Sequence, residues 1–522
     1  MKKQAFNPYL PSYEYVPDGE PYVFGDRLYI YGSHDAFGGR GFCVNDYVCY
    51  SAPTDDLSDW KYEGVIYRRT QDPVNPKGRQ YMNAPDVCMG PDGRYYLYYQ
   101  LQMENTTSVA VSDRPEGPFE YYGVVRHPDG RPFGRKKDPY NFDPGVLLDD
   151  DGRIYMYTGF SPDNGILRFL MERRGGTYRG GSVVELEPDM ITLAGDAVPT
   201  IPGKLYAAGT EFEEHPFFEA SSIRKINGIY YLVYSSSLSH ELCYATGKHP
   251  LGPWKFGGTI VSNGDIGLPG VTEKNARNFI GNTHGGMVCI GGQWYIFYHR
   301  QTNQQMCARQ GCAEKIEIET DGSICQVEMT SCGLNDGPLR ALGIYEARIA
   351  CNLWGKRGTF KYDKVTCKET EYPYFTQSGT DRESMPDQYI ANMKDGATAG
   401  FKYFDFDQDS PDEIDIQIRG NAEGKVCVYT VPEMEAAAEI PVSPGRAWTH
   451  FSAPMKNVSG VKPLFFTYRG EGGIDFRSFC FGKKAEAHAE PGMDSKEQDC
   501  DAEKTEKYIG GKNGSKNERT GA

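Results

Sequence analysis

Apolar and polar positions fall into one repeating figure over the first two thirds of the chain. An aromatic-rich run occurs five times, at Leu28–Tyr31, Tyr95–Tyr99, Ile154–Tyr157, Tyr230–Tyr234 and Trp294–Tyr298. Aligned on Tyr29, Tyr96, Tyr155, Tyr231 and Tyr295, the runs stand 67, 59, 76 and 64 residues apart. Short aromatic runs bounded by turn residues predict strands. Each is preceded by a second strand and a tight turn: Gly25-Asp26, Pro91-Asp92-Gly93, Asp149 to Gly152, Asn227-Gly228 and Gly291-Gly292. Such pairs supply the positive φ angles of hairpins. One hairpin per period leaves room for about four strands in each unit, the signature of a propeller blade. The predicted fold is all-β, a five-bladed β-propeller. Its inner strands start near the axis, so residues just before each hairpin face a central funnel.

The pattern changes near Gly343. Phe401–Phe406, Ile414–Ile418 and Lys425–Tyr429 alternate apolar and polar residues, which predicts half-buried strands of a β-sandwich, jelly-roll-like in kind. The expected organisation is a propeller over 1–340, a sandwich over 341–482 and a charged tail over 483–522, too poor in apolar residues to order.

Composition narrows the function. Of 522 residues, 13% are aromatic, and 61 Gly and 33 Pro favour strands and turns over helices. A net charge of -15 repels phosphate backbones and argues against nucleic acid, while a neutral sugar suits it. The 14 cysteines form no C-x-x-C pair and read as buried apolar residues of a reducing compartment. No apolar stretch approaches a membrane span, and Met1 to Phe6 leads straight into Asn7-Pro8 without a secretory apolar run. The expected location is cytoplasmic. The oligomeric state is left open.

Register carries the chemistry. Eleven or twelve residues before the aligned tyrosines stand Asp18, Asp143, Glu219 and His284; the second unit has Ala84 there, within Asn83-Ala-Pro-Asp86. A shared repeat position is a shared place in space, so three carboxylates and an imidazole surround one centre. Any one acid alone reads as a turn former; three in register read as a catalytic cluster. Two carboxyls flanking a glycosidic bond cleave it, one protonating the leaving oxygen and one activating water. Glu219, beside Phe217 and Phe218, has the apolar setting that raises an acid's pKa. Asp18, in a polar turn, suits an ionised base.

The stretch Asp18 to Asp35 resembles the first blade of glycoside hydrolase family 43. Asp143-Pro-Gly-Val146 with Asp150-Asp-Gly152, and Glu219-Ala-Ser-Ser-Ile223 before Tyr230-Tyr-Leu232, resemble its second and third acidic motifs. The resemblance implies an inverting hydrolase with Asp18 as general base, Asp143 as pKa modulator and Glu219 as general acid. Glu20, two residues from Asp18, is a rival base. The resemblance further implies that Asp35, Asn83, His284 and Arg309 line the sugar site, and that His284 holds a structural calcium through water; no other cofactor is implied. Arg309 reads equally as a surface ion pair. Glu346-Ala347, Tyr389 to Asn392 and Tyr468-Arg-Gly470 make the second domain similar to a family 6 carbohydrate-binding module. There Trp354, Tyr389 and Trp448 read as core residues before sugar platforms. The expected activity is an α-L-arabinofuranosidase or β-xylosidase acting on oligosaccharides. An endo-acting arabinanase and a non-catalytic sugar-binding propeller are the alternatives.

Overall fold

A computed structural model of the chain describes residues 3–482 apart from 136, 166–168, 170, 171, 173–176, 178, 363–369 and 382–386. The expected tail over 483–522 lies outside the described residues.

Four antiparallel sheets have four strands each, and a fifth has three. Blade 1 comprises β1 (Glu20–Phe24), β2 (Arg27–Tyr31), β3 (Tyr47–Pro53) and β4 (Lys61–Tyr67). Blade 2 comprises β5 (Asp86–Met89), β6 (Tyr95–Gln100), β7 (Thr107–Ser112) and β8 (Glu120–Val124). Blade 3 holds β9 (Gly145–Leu148), β10 (Ile154–Gly159), β11 (Gly180–Leu186) and β12 (Val198–Pro202). Blade 4 holds β13 (Phe217–Ile226), β14 (Ile229–Ser236), β15 (Glu241–Gly247) and β16 (Lys255–Ser262). Blade 5 has β17 (Met287–Ile290), β18 (Gln293–Thr302) and β19 (Gln305–Ile316).

The aromatic runs are the second strands, and their two-sided burial explains why they read as continuous. In β14, Tyr230, Leu232 and Tyr234 enter a core shared with blade 3, whereas Tyr231 and Val233 enter one shared with blade 5. Successive side chains point to opposite faces, so each blade feeds both neighbours. Three further cores join blades 5 and 1, 1 and 2, and 2 and 3. Five interblade cores for five blades close the ring. A parallel bridge from Gly19 to Gly285 seals the seam between first and last blades. The fifth blade departs from the four-strand expectation. The N-terminal segment lies along β19: Tyr9 donates its amide to the Gly311 carbonyl at 3.2 Å, and Ala313 donates to Asn7 Oδ1 at 2.9 Å.

Beyond the propeller two six-stranded sheets stack. One orders β20 (Leu339–Arg340), β25 (Thr398–Asp405), β30 (Val461–Glu471), β27 (Glu423–Tyr429) and β28 (Ala438–Val442), with β22 (Asn352–Trp354) also on β25. The other orders β23 (Tyr374–Gln377), β24 (Gln388–Lys394), β31 (Gly473–Gly482), β26 (Glu413–Gly420) and β29 (Gly445–Pro454), with β21 (Gly343–Glu346) on β31. Phe401, Phe466, Phe476 and Phe479 fill the space between them, and Phe279 of the propeller joins that core. Trp354 packs on Phe465, and Tyr389 meets Trp448 edge-on. Propeller and sandwich form one compact unit through Gly482. Among the described residues no helix is long and apolar enough to cross a membrane.

Candidate active site

Inner strands begin at the funnel, and the backbone there is bent in a repeated way. Asp18 (φ 57°) and Asp143 (φ 48°) are both left-handed, just ahead of β1 and β9. In blade 4 the register against β14 shifts on both sides of Glu219, and Ala220 is left-handed at φ 69°. Bulges and left-handed non-glycine residues re-aim side chains at the expense of local strain. Three blades thus turn a carboxyl toward the same centre. Asp18 and Asp143 are 4% exposed, so the environment of each sets its charge.

Asp18 is held ionised. Burial alone would raise its pKa, but the Arg309 guanidinium outweighs that and keeps it well below the usual carboxylate range. Arg309 Nη1 donates to Asp18 Oδ1 at 2.8 Å. His299 Nδ1 lies 3.3 Å from the same oxygen and accepts the Asp18 amide at 3.3 Å, while its Nε2 lies 2.8 Å from the Asn282 carbonyl. That network assigns the proton to Nε2 and leaves the ring neutral; burial lowers its pKa accordingly.

Glu219 is held protonated. Burial first, and the Asp18 charge second, push its pKa up to about 8. Phe218, its neighbour in sequence, packs against Phe160 at 5.3 Å, and Phe160 against Phe142 at 4.9 Å, which places an aromatic wall between the Asp143 and Glu219 strands. Phe217, expected to share that task, instead stacks on Tyr234 in the core between blades 3 and 4. Asp143 is also pushed upward, by burial and then by Glu219 and Asp18. Its carboxylate accepts the Ala220 amide, a bond that favours the ionised form. Both acids are thus raised, and the Ala220 bond favours the charge on Asp143.

The remaining expected residues fall in two groups. His284 is in the cluster, with Nδ1 3.6 Å from Asp143 Oδ2 and 3.9 Å from Asp18 Oδ1; burial lowers its pKa to about 4, so it is neutral. Arg309 is there too, buried and not a surface ion pair. Asp35 stands behind it. Arg309 Nε and Nη2 reach Asp35 Oδ2 and Oδ1 at 2.8 and 3.1 Å, and the Cys43 amide donates to Oδ1 at 2.9 Å. Both Asp35 oxygens are engaged by these partners. Asn83 is buried in blade 2, bonded through Nδ2 to Gln100 Oε1 at 3.1 Å, with its carbonyl accepting the Tyr47 hydroxyl.

Glu20 faces elsewhere. Its Oε2 accepts from Ser222 Oγ and Arg224 Nη2, each at 3.0 Å. Asp86, on the next inner strand, accepts the Tyr22 hydroxyl at 2.7 Å and the Val146 amide at 2.6 Å. These groups belong to a second polar layer on the inner strands, and Asp18 alone of the two acids meets Arg309 and His299. His299 was missed by sequence reasoning. A signal existed: it stands four residues after Tyr295, where the other units carry Ser33, Gln100, Gly159 and Ser235, a run of small or polar residues ending otherwise aromatic strands.

Comparison with known proteins places the chain in one family. The glycosyl hydrolases family 43 pattern matches residues 14–324. The xylosidase/arabinosidase of Thermoclostridium stercorarium is 50% identical over 483 residues, covering 92% of this chain and 99% of that protein. The xylosidase/arabinosidase of Bacteroides ovatus is 31% identical over 345 residues, 61% of this chain and 97% of that one. Among solved structures, a family 43 enzyme of Xanthomonas citri complexed with xylose superposes with a TM-score of 0.50 at 26% identity, covering 62% of this chain and 93% of the other. With the family pattern spanning the five blades that carry the acids, and a half-identical relative matching nearly end to end, this chain belongs to glycoside hydrolase family 43 and is a glycosidase.

Proposed function

We propose that the protein is an inverting, exo-acting α-L-arabinofuranosidase or β-xylosidase that removes arabinose or xylose from short oligosaccharides. The observation that carries the mechanism is the pair of unlike settings in one funnel: Asp18 takes a hydrogen bond from Arg309 at 2.8 Å, which favours its ionised form, and half-buried Glu219 lies beside Phe218 without such a cation, which favours its protonated form. Water placed against the anomeric carbon gives a proton to Asp18 as its oxygen bonds to that carbon. The glycosidic C–O bond breaks on the opposite side, and the Glu219 proton goes to the leaving oxygen. The product has inverted configuration. Asp18 is left protonated and Glu219 ionised, and exchange with solvent restores both. Asp143 keeps Glu219 protonated through like-charge repulsion, and His284, neutral between Asp18 and Asp143, orients them without adding charge.

His284 serves as a hydrogen-bonding group here, and a calcium at the propeller centre would be held by the ring through water rather than directly. Calcium takes roughly six to eight oxygens at about 2.3–2.6 Å. The carboxylate oxygens near His284 Nδ1 belong to the two acids that the reaction engages. The two-carboxyl chemistry balances with water alone. Cys43, Cys49, Cys88 and Cys243 are buried and form no disulfide, which supports a reducing, cytoplasmic setting in which imported oligosaccharides are the substrate.

The test is hydrolysis of aryl α-L-arabinofuranoside and aryl β-D-xyloside by wild type and Glu219→Ala. Turnover of either that collapses in the variant is the expected result, with the initial sugar anomer, read by proton NMR, inverted relative to the substrate. Retention of configuration, or full activity in the variant, overturns the assignment.

A further inference from the structure

Blade 4 carries a second constellation of reactive side chains that the glycosidase chemistry does not use. His215 lies two residues before β13; Glu241 and Cys243 are the first and third residues of β15, hence on the same face of that strand. His215 Nδ1 is 2.6 Å from Glu241 Oε1, Cys243 Sγ is 3.4 Å from that oxygen, and Sγ is 3.8 Å from Nδ1. We propose that these three atoms form a binding site for a borderline divalent metal ion, zinc by preference.

The geometry is already close to that of a bound ion. A triangle with those three sides has its centre about 2 Å from every corner, near the roughly 2.0–2.3 Å bonds that zinc makes to imidazole, carboxylate and thiolate. An ion at that centre asks only the nitrogen–oxygen edge to widen, since tetrahedral ligands stand roughly 3.3 Å or more apart. The groups behind the ligands are in place. Ser236 Oγ donates to Glu241 Oε1 at 2.6 Å and Thr259 Oγ1 to Oε2 at 3.0 Å, which fixes the carboxylate. The Phe256 ring stacks on the His215 imidazole at 5.0 Å, which fixes its plane. Such outer contacts orient metal ligands.

Donor chemistry selects the ion. A thiolate with an imidazole favours zinc over calcium or magnesium, which take oxygen. Cys243 and Glu241 are buried, whereas the His215 side chain is 25% exposed, so the ion enters past the imidazole and water supplies its fourth ligand from that side. Binding releases the Cys243 thiol proton to solvent and leaves His215 neutral, bound through Nδ1 with its ring proton on Nε2. The bound ion would tie the segment between β12 and β13 to β15. This site is separate from the Asp18, Asp143 and Glu219 cluster, and the inference does not depend on the reading of that cluster.

The experiment uses the full chain, stripped with chelator, then equilibrated with zinc chloride and desalted before metal analysis. One zinc per chain is expected for wild type and none above background for Cys243→Ser or His215→Ala, with the fold of each checked by circular dichroism. Cobalt(II) on the wild-type chain should give a thiolate-to-metal charge-transfer band, a readout that needs no variant to fold. Zinc binding undiminished in Cys243→Ser would place the ion elsewhere and overturn the proposal. So would wild-type protein that retains no zinc, or a cobalt spectrum without the thiolate band.

Discussion

Arg309 donates from Nη1 to Asp18 and from Nε and Nη2 to Asp35, so replacing it leaves two buried carboxylates without their cation. Breaking a buried pair from one side costs about 3–5 kcal/mol. Arg309→Lys keeps a charge but cannot span both acids. The pKa of Asp18 should then rise, and the acidic limb of kcat/KM should move to higher pH, measurable against an unchanged limb in wild type. The alkaline limb belongs to Glu219, and activity should fall as pH rises through about 8, where its proton is lost. Asp143 and Glu219 repel one another, and that repulsion acts equally on both. Asp143→Asn should therefore shift the alkaline limb to lower pH; a limb that stays put would remove Asp143 from its modulating role. Glu219→Gln should lower kcat by about 10²–10⁴-fold, the usual worth of a positioned acid, with the smaller loss on substrates whose leaving group needs no proton. The three acids were legible because the chain repeats, and repetition turns sequence position into spatial position. His299 was not, since a histidine closing an aromatic strand resembles core. Nor was the task of Asp35, whose partner stands 274 residues away.

The inner strands hold these residues at a common height, and what binds the strands together is polar. Arg224 on β13 reaches Glu20 on β1 and the Met287 carbonyl on β17, and its guanidinium lies 4.4 Å from the centre of the Tyr22 ring, whose hydroxyl bonds Asp86 on β5. Asp86 in turn takes the Val146 amide of β9. All five blades meet in this one network, directly beside the acids. It tolerates no added volume: a methyl group at Gly286 would stand 2.4 Å from Glu20 Oε2 and 2.6 Å from Ser222 Oγ. Gly286→Ala should cost about 1–3 kcal/mol of stability by overpacking, seen as a lower denaturation midpoint in urea. A variant as stable as wild type would show that the layer is slack. The blades themselves could be read from the recurrence of their aromatic second strands. The three-stranded fifth blade could not, because its edge is filled by residues some 300 positions away along the chain. The bulge around Glu219 was equally hidden, since a register shift against β14 leaves no mark on local composition.

At the scale of the whole molecule, the sandwich is built into the propeller rather than hung from it. Arg300 of β18 donates to the carbonyls of Ala350 and Arg348 at 2.7 and 2.6 Å, with Phe375 of β23 3.8 Å beneath its guanidinium. Lys402 of β25 reaches Asp265 and Glu328 at 3.0 and 2.8 Å. One contact runs toward the active site. The Phe37 amide donates to Asp381 Oδ1 at 2.7 Å, and Phe37 belongs to the loop that also carries Cys43, whose amide holds Asp35 behind Arg309. Asp381 thus steadies, from the sandwich, a loop that stands behind Arg309 and Asp18. Losing a hydrogen bond to a charged acceptor costs about 1.5–3 kcal/mol, here spent on a loop that fixes catalytic geometry. Asp381→Ala should therefore lower kcat/KM by several-fold while leaving the thermal midpoint close to wild type. Asp381→Asn, whose amide oxygen can still accept from Phe37, should recover most of the loss. Equal kcat/KM in wild type and Asp381→Ala would make the sandwich a packing partner without influence on the site. A loss in Asp381→Ala that Asp381→Asn fails to repair would trace the effect to the charge instead of to the bond that orders the loop.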